Sequence, residues 1–157
     1  MQQAFPAPWS GPGFAAIGLL NPKRRENVGG VLRAASCFGA ALIVIQGHRY
    51  RIHPTDTADT HRQIPLLHVD DLHAVVPYDC IPVAVERRAG AVALPDYEHP
   101  ERAFYIFGPE DGDLGSSVLN WCRDVVYIPS HHSINLAAVV NVVLYDRMAK
   151  HGLPSTP

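Results

Sequence analysis

The sequence predicts an α/β domain, a parallel β-sheet with helices on both faces. Three observations carry that expectation. Short apolar runs recur along the chain, several of them rich in Val and Ile and ended by Pro, Gly or Asn. Segments with helical periodicity separate them, and strands alternating with helices give a parallel sheet. The last helical segment is apolar nearly all round, the mark of an enclosed helix rather than a surface one.

Residues 15–20 (Ala-Ala-Ile-Gly-Leu-Leu) form the first strand, which ends in a turn at Asn21-Pro22. Over residues 26–38, Val28, Val31, Leu32, Ala35 and Phe38 fall on one helical face, and Gly39 is a natural stop. Residues 41–45 predict a buried strand ending near Gly47. Residues 48–63 are polar and predict a loop with room for a helical turn. Residues 64–69 predict a short strand, with Asp70 placed to cap a helix over 71–76. Strands are expected over 81–85 and 104–107, and a helix over 114–122. Residues 125–128 predict a strand stopped by Pro129, and 135–150 the final helix. Apolar from Leu136 to Leu144 apart from Asn141, that helix requires either a path through the core or cover from a second subunit.

The chain has 157 residues, 47% apolar and 18% charged, with a net charge of −2. That suits one domain with its own core and excludes a disordered or repeat-built chain. Bulk charge nominates no nucleic-acid partner, so any basic surface must be local. Cys37, Cys80 and Cys122 are widely spaced, form no CxxC pair, and read as reduced, buried thiols. The expected organisation is a flexible N-terminal segment (1–13), one domain (14–150) and a tail (151–157). Residues 1–13 lack a cationic start and an apolar run, and no stretch reaches the ~18 apolar residues that span a bilayer. The expectation is a cytoplasmic protein with no membrane partner.

No GxGxxG, P-loop, GxSxG or HExxH motif is present, and the nine histidines show no zinc spacing. His131-His132 are adjacent and read as a surface loop. Three other segments place polar residues where apolar elements end. The first runs from Asn21 to Arg33 through Lys23-Arg24-Arg25, Asn27 and Gly29-Gly30. Its cations fit a solvated turn or a phosphate contact, and Arg33 lies beside the apolar stripe with a guanidinium able to hold phosphate by two bonds. The second is Phe107-Gly108-Pro109-Glu110 up to Leu114, at a strand's carboxyl end, where open α/β sheets hold ligands. Glu110 also fits a charge at the start of the next helix. The third is Ile128-Pro129 through Ser133-Ile134-Asn135-Leu136, with Ser133 a possible N-cap and Asn135 a buried amide in need of partners.

In this order, the three segments resemble the SpoU/TrmH branch of the SPOUT RNA methyltransferases over about residues 15–150. The first is similar to the family's Asn27-x-Gly29-x-x-x-Arg33-Ala34-x-x-x-Phe38-Gly39 pattern. The second resembles its Phe107-Gly108-Pro109-Glu110 turn with Leu114. The third resembles its Ile128-Pro129 and Ser133-Ile134-Asn135-Leu136, with a helix ending Leu144-Tyr145-Asp146. The size is most similar to minimal, TrmL-type members that methylate the ribose of the tRNA wobble nucleotide. Two departures stand out. Asp113 precedes Leu114 where the family usually has glycine, and the 129–133 loop is shorter than usual.

The resemblance implies a parallel sheet whose C-terminal segment is tucked through a loop as a deep trefoil knot. It also implies a homodimer, an RNA substrate (tRNA foremost), no metal, and S-adenosylmethionine as methyl donor. By motif match the donor would be held by Val85, Glu86, Phe107, Gly108, Pro109, Glu110, Ile128, Ser133, Ile134 and Leu136. The implied reaction is methyl transfer to a ribose 2′-hydroxyl, with Arg33, Asn27, Glu110, Ser133 and Asn135 as the catalytic set. A guanidinium is not readily deprotonated, so Arg33 is expected to grip RNA phosphate and stabilise the developing alkoxide rather than act as a base. Glu110 and Asn135 would orient donor and acceptor, and Asn27 would hold Arg33 or the ribose. Lys23, Arg24, Arg25 and Arg33 would meet the RNA, with Arg49-Tyr50-Arg51 and Arg87-Arg88 as further basic patches. Two alternatives stay open. One is a degenerate relative that binds RNA or donor without methyl transfer. The other is a nucleotide-binding α/β hydrolase, for which no nucleophile–base pair is evident.

Overall fold

The computed structural model describes residues 13–50 and 64–152. The segment 1–12, most of the 48–63 loop and residues 153–157 lie outside the described residues. The elements run β1 (Phe14–Leu20), α1 (Arg25–Phe38), β2 (Leu42–Gln46), β3 (Leu66–Val69), a 3-10 turn (His73–Val75), β4 (Ile81–Val85) and β5 (Val92–Ala93). A second 3-10 turn (Leu94–Asp96) then leads to β6 (Arg102–Phe107), α2 (Ser116–Leu119), β7 (Asp124–Tyr127) and α3 (Leu136–His151). The seven strands form one sheet in the order β3-β2-β1-β6-β4-β7-β5, every neighbouring pair parallel.

The strands are apolar on both sides because both faces are covered. Ile17, Leu19, Tyr105 and Phe107 point into a core shared with Val28, Val31 and Leu32 of α1 and Val140, Val143 and Leu144 of α3. Ala16, Val44, Phe104 and Ile106 alternate to the other face, under Leu72, Leu114 and Val118. The expected layering therefore stands. Helices α1 and α3 touch directly at Gly30, where a Cβ would lie 2.6 Å from that of Ala137. Only glycine permits that approach.

Several local expectations are corrected. The helix expected over 114–122 shrinks to Ser116–Leu119, since Gly115 sits at φ +75° ahead of it and Leu114 is buried as a core plug. The helix expected over 71–76 is a single 3-10 turn. Asp71, not Asp70, tops it by accepting the His73 N–H at 3.0 Å. β5 was not foreseen, and two residues carry no readable period. Cys37 is exposed, because it follows Arg33 by one turn on the solvent face of α1, while Cys80 is buried and Cys122 partly so. Helix α3 buries one face only: Val142 is 40% and Tyr145 54% exposed.

The far end of α3 is fixed by a polar cluster. Buried Arg147 donates to the carbonyls of Pro100 and Glu101 (2.6 Å each) and to the Tyr105 hydroxyl (3.2 Å). Tyr105, accepting from Arg147, is left to donate to Nδ1 of buried His99 (2.6 Å), which leaves His99 Nε2–H to donate to Asp146 (2.8 Å). Burial lowers the His99 pKa despite Asp146, so the ring stays neutral and the directions are consistent.

Candidate active site

The topology decides where a site can form. From β1 the chain moves outward to β2 and β3, whereas β6 and β4 lie on the other side of β1. Ligands in such sheets sit beyond the carboxyl ends of the strands, where the order reverses. Leu19 pairs with Phe107, Val85 with Phe107, and Val85 with Val126. The loops that follow β1, β6, β4 and β7 therefore leave the sheet side by side.

The loop after β6 is tied down from three directions. The Glu110 carboxylate accepts the backbone N–H groups of Lys23 (2.9 Å) and Arg24 (3.1 Å) and the side-chain amide of Asn27 (2.8 Å). Helix α1 has no side-chain cap of its own at Arg24, and this carboxylate places negative charge at its start. Partial burial pushes the Glu110 pKa up, but the hydrogen bonds from Asn27 and from backbone N–H groups outweigh it and hold the group below its ordinary value. Asp111 takes a two-bond grip from Arg49 (2.8 and 2.9 Å), with Lys23 Nζ at 3.7 Å; the Arg49 bonds bring its pKa down to about 2. The Glu86 carboxylate accepts the Leu114 N–H at 2.7 Å.

Between these loops lies a cleft of two adjoining lobes. The larger, about 250 Å³, is lined by Glu86, Arg87, Ile128, Ser130 and Ser133 among others. The smaller, about 150 Å³, is lined by Phe107, Gly108, Pro109, Glu110, Asp113 and Leu136. Val85, Glu86, Gly112, Ile134 and Val139 border both. The combined space approaches the ~300–1,000 Å³ scale of small-molecule sites. Apolar walls, small residues at the turns and three carboxylates suit a flat heterocycle joined to a cationic group.

The structure brings together all ten residues expected to hold the donor: Val85, Glu86, Phe107, Gly108, Pro109, Glu110, Ile128, Ser133, Ile134 and Leu136 each line a lobe. Asn27 joins them by donating to Glu110 rather than by holding Arg33. Glu110 is likewise held at the start of α1, so its charge sits there and positions that helix rather than α2. Asn135 is no buried amide. It is exposed and N-caps α3, accepting the Ala138 N–H at 2.8 Å, which takes the capping role from Ser133. Arg33 lies outside both lobes, exposed on the solvent face of α1, as are Lys23, Arg24 and Arg25 at its start. Sequence reasoning missed Arg87, Gly112, Asp113, Tyr127, Ser130 and Val139 in the cleft wall. For Arg87 the signal was its place directly after Glu86 at the end of β4.

The family model for the SpoU rRNA methylases matches residues 15–145. Among solved structures, the chain is similar to the SpoU methyltransferase AviRb from Streptomyces viridochromogenes in complex with the cofactor S-adenosylmethionine (19% identity, TM-score 0.74, 87% of this chain and 60% of that one). The chain thus spans about 60% of the length of AviRb. It is also similar to a structure solved for 2-OH methylation of C/U34 on tRNA (22% identity, TM-score 0.76, 89% and 97% covered). A third similar structure is the A. aeolicus TrmH/SpoU tRNA modifying enzyme (16% identity, TM-score 0.76, 87% and 74% covered). At these identities the likeness shows a shared fold. No curated protein matches the chain significantly.

Proposed function

The chain belongs to the SpoU rRNA methylase family, and from that premise we propose that it transfers a methyl group from S-adenosylmethionine to a ribose 2′-hydroxyl of RNA, with the wobble nucleotide of tRNA as the target. The observation that carries this reading is the convergence of three chain segments, 85–87, 107–113 and 127–139, on one cleft, bordered by every residue expected to hold the donor.

S-adenosylmethionine, when bound, supplies a methyl group already activated on a sulfonium. The chain's residues then have two tasks: to hold the acceptor hydroxyl in line and to stabilise the oxygen as charge develops. Orientation alone can lower such a barrier by ~7–11 kcal/mol. Val85, Phe107, Ile128, Ile134 and Leu136 offer an apolar seat, and Glu86 braces the loop that closes it through the Leu114 N–H. Glu110 acts by position rather than as a base, since three hydrogen bonds already occupy it. Through Asn27 and the N–H groups of Lys23 and Arg24, it orients the helix that carries Arg33. Arg33 grips an RNA phosphate beside the target and stabilises the developing alkoxide.

Arg33 stands outside this chain's own cleft, so the reading includes a homodimer in which it serves the partner's site. The exposed apolar residues Val142 and Tyr145 on α3 support such a pairing. The C-terminal knot belongs to the same reading. It is supported by the 128–135 loop, which shares the cleft with the loops after β4 and β6 before α3 runs back to α1.

The test is nucleoside mass spectrometry of tRNA incubated with the protein and labelled S-adenosylmethionine. Label is expected in a 2′-O-methylated nucleoside. Label on a base, or no transfer by a protein that binds S-adenosylhomocysteine, overturns the proposal. Mixing Arg33→Ala protein with a donor-site variant should restore part of the activity if sites are shared across protomers.

A further inference from the structure

The cleft has a charge pattern that the reading above leaves unused. Glu86, Glu110 and Asp113 border it, against a single cation, Arg87. Two of the carboxylates are occupied by backbone N–H groups, and Asp113 has no partner among the described residues. Arg87 stands two residues past the end of β4 and lines only the larger lobe. One of its guanidinium nitrogens donates to the Ser130 carbonyl at 3.0 Å. That bond holds the head of the side chain against the 128–133 loop. The remaining N–H groups of the fork have no partner among the described residues, and a planar guanidinium has five donors in all.

We propose that Arg87 is the carboxylate-binding residue of the donor site, pairing with the α-carboxylate of the methionyl group of S-adenosylmethionine. The inference rests on the donor reading above. The donor carries a sulfonium, an ammonium and a carboxylate. The two cations are favoured by the carboxylates around the cleft, whereas its own carboxylate is repelled by them wherever Arg87 is out of reach. A guanidinium fork matches a carboxylate through two parallel bonds, which fixes direction as well as charge. An RNA phosphate is the less suited occupant. The cations expected to meet RNA, Lys23, Arg24, Arg25 and Arg33, line neither lobe, whereas Arg87 is part of the cleft wall and held against the 128–133 loop.

The test is calorimetry on the full chain with two probes, S-adenosylhomocysteine and its decarboxylated analogue, which keeps the ammonium. Wild type should bind the first more tightly. Arg87→Ala should weaken S-adenosylhomocysteine roughly tenfold, the scale of one charge-assisted hydrogen bond lost at an open site, and leave the decarboxylated analogue unchanged. Arg87→Lys should fall between, keeping charge without the fork. Equal losses for both probes mean that Arg87 only braces the 128–133 loop, and this overturns the assignment. So does an alanine variant with normal affinity for S-adenosylhomocysteine, and so does a loss confined to tRNA affinity in a fluorescence anisotropy titration. A wild-type protein that binds neither probe overturns the donor reading itself, an outcome distinct from the others.

Discussion

Glu110 is the most informative residue to perturb, because one carboxylate holds the loop after β6 to the start of α1. Glu110→Ala removes an acceptor of three hydrogen bonds, at 2.9, 3.1 and 2.8 Å. In a dry site each such bond to a charged group is worth ~1.5–3 kcal/mol, but two of the three are solvent-exposed, so about 2 kcal/mol in total is expected. At this chain length 1 kcal/mol moves Tm by about 2–4 °C, so a drop of about 4–8 °C follows. Glu110→Gln keeps an acceptor oxygen but not the charge, and should lose about half as much. The sign of the pH dependence is also set. The folded-state pKa of Glu110 is depressed below its ordinary 4.5, so its contribution is complete above that value and is lost as pH falls through the depressed one. The gap between wild type and Glu110→Gln, read by calorimetric melting, should therefore close on acidification below about pH 4.5. Equal Tm values at pH 7, or a gap that widens in acid, would refute the anchoring role.

Three other outcomes are expected. Arg33→Ala should cut methyl transfer by about 10²–10³, the scale of a lost alkoxide-stabilising donor, while calorimetry shows unchanged affinity for S-adenosylhomocysteine; wild-type turnover would remove Arg33 from the mechanism. Gly30→Ala puts a methyl group 2.6 Å from that of Ala137 and should cost ~1–3 kcal/mol in urea denaturation, and Ala137→Gly in the same chain should recover most of it. A double variant no better than the single one would show that the contact is not tight. His99 is neutral in the fold while the unfolded chain takes a proton below about pH 6.5, so stability should fall as pH drops through that value. His99→Gln should flatten that slope, and an unchanged slope would assign it to another group.

The legible parts of the fold are those in which periodicity and burial coincide. β1, β2, β4, β6 and β7 are continuous apolar runs because each is covered on both faces, and α1 shows a single stripe because its other face, with Arg33 and Cys37, meets solvent. The sequence was less readable where tertiary contacts overrule local preference. Leu114 looks like the start of a helix, yet its N–H is taken by Glu86 and its side chain fills the core. Asn135 looks like a residue inside a helix, although Asn is among the best N-caps and its place before Leu136 carried that signal. The expected donor-site residues lie where apolar runs end, either as the last apolar residue (Val85, Phe107, Ile128) or in the turn that follows (Glu86, Gly108, Pro109, Glu110, Ser133). The bond between Asn27 and Glu110 was not legible, since no local pattern links residues 83 positions apart.

That separation has a kinetic side. β1 and β6 lie next to each other, but the chain between them must first lay down α1, β2, β3, β4 and β5. Closing so long a span costs entropy before any pairing rewards it, and parallel centres of this kind form slowly. The β1–β6 pairing is therefore expected to form late in folding. A nascent chain that has not yet emerged past Val139 lacks part of the cleft wall, so binding competence is expected late in synthesis.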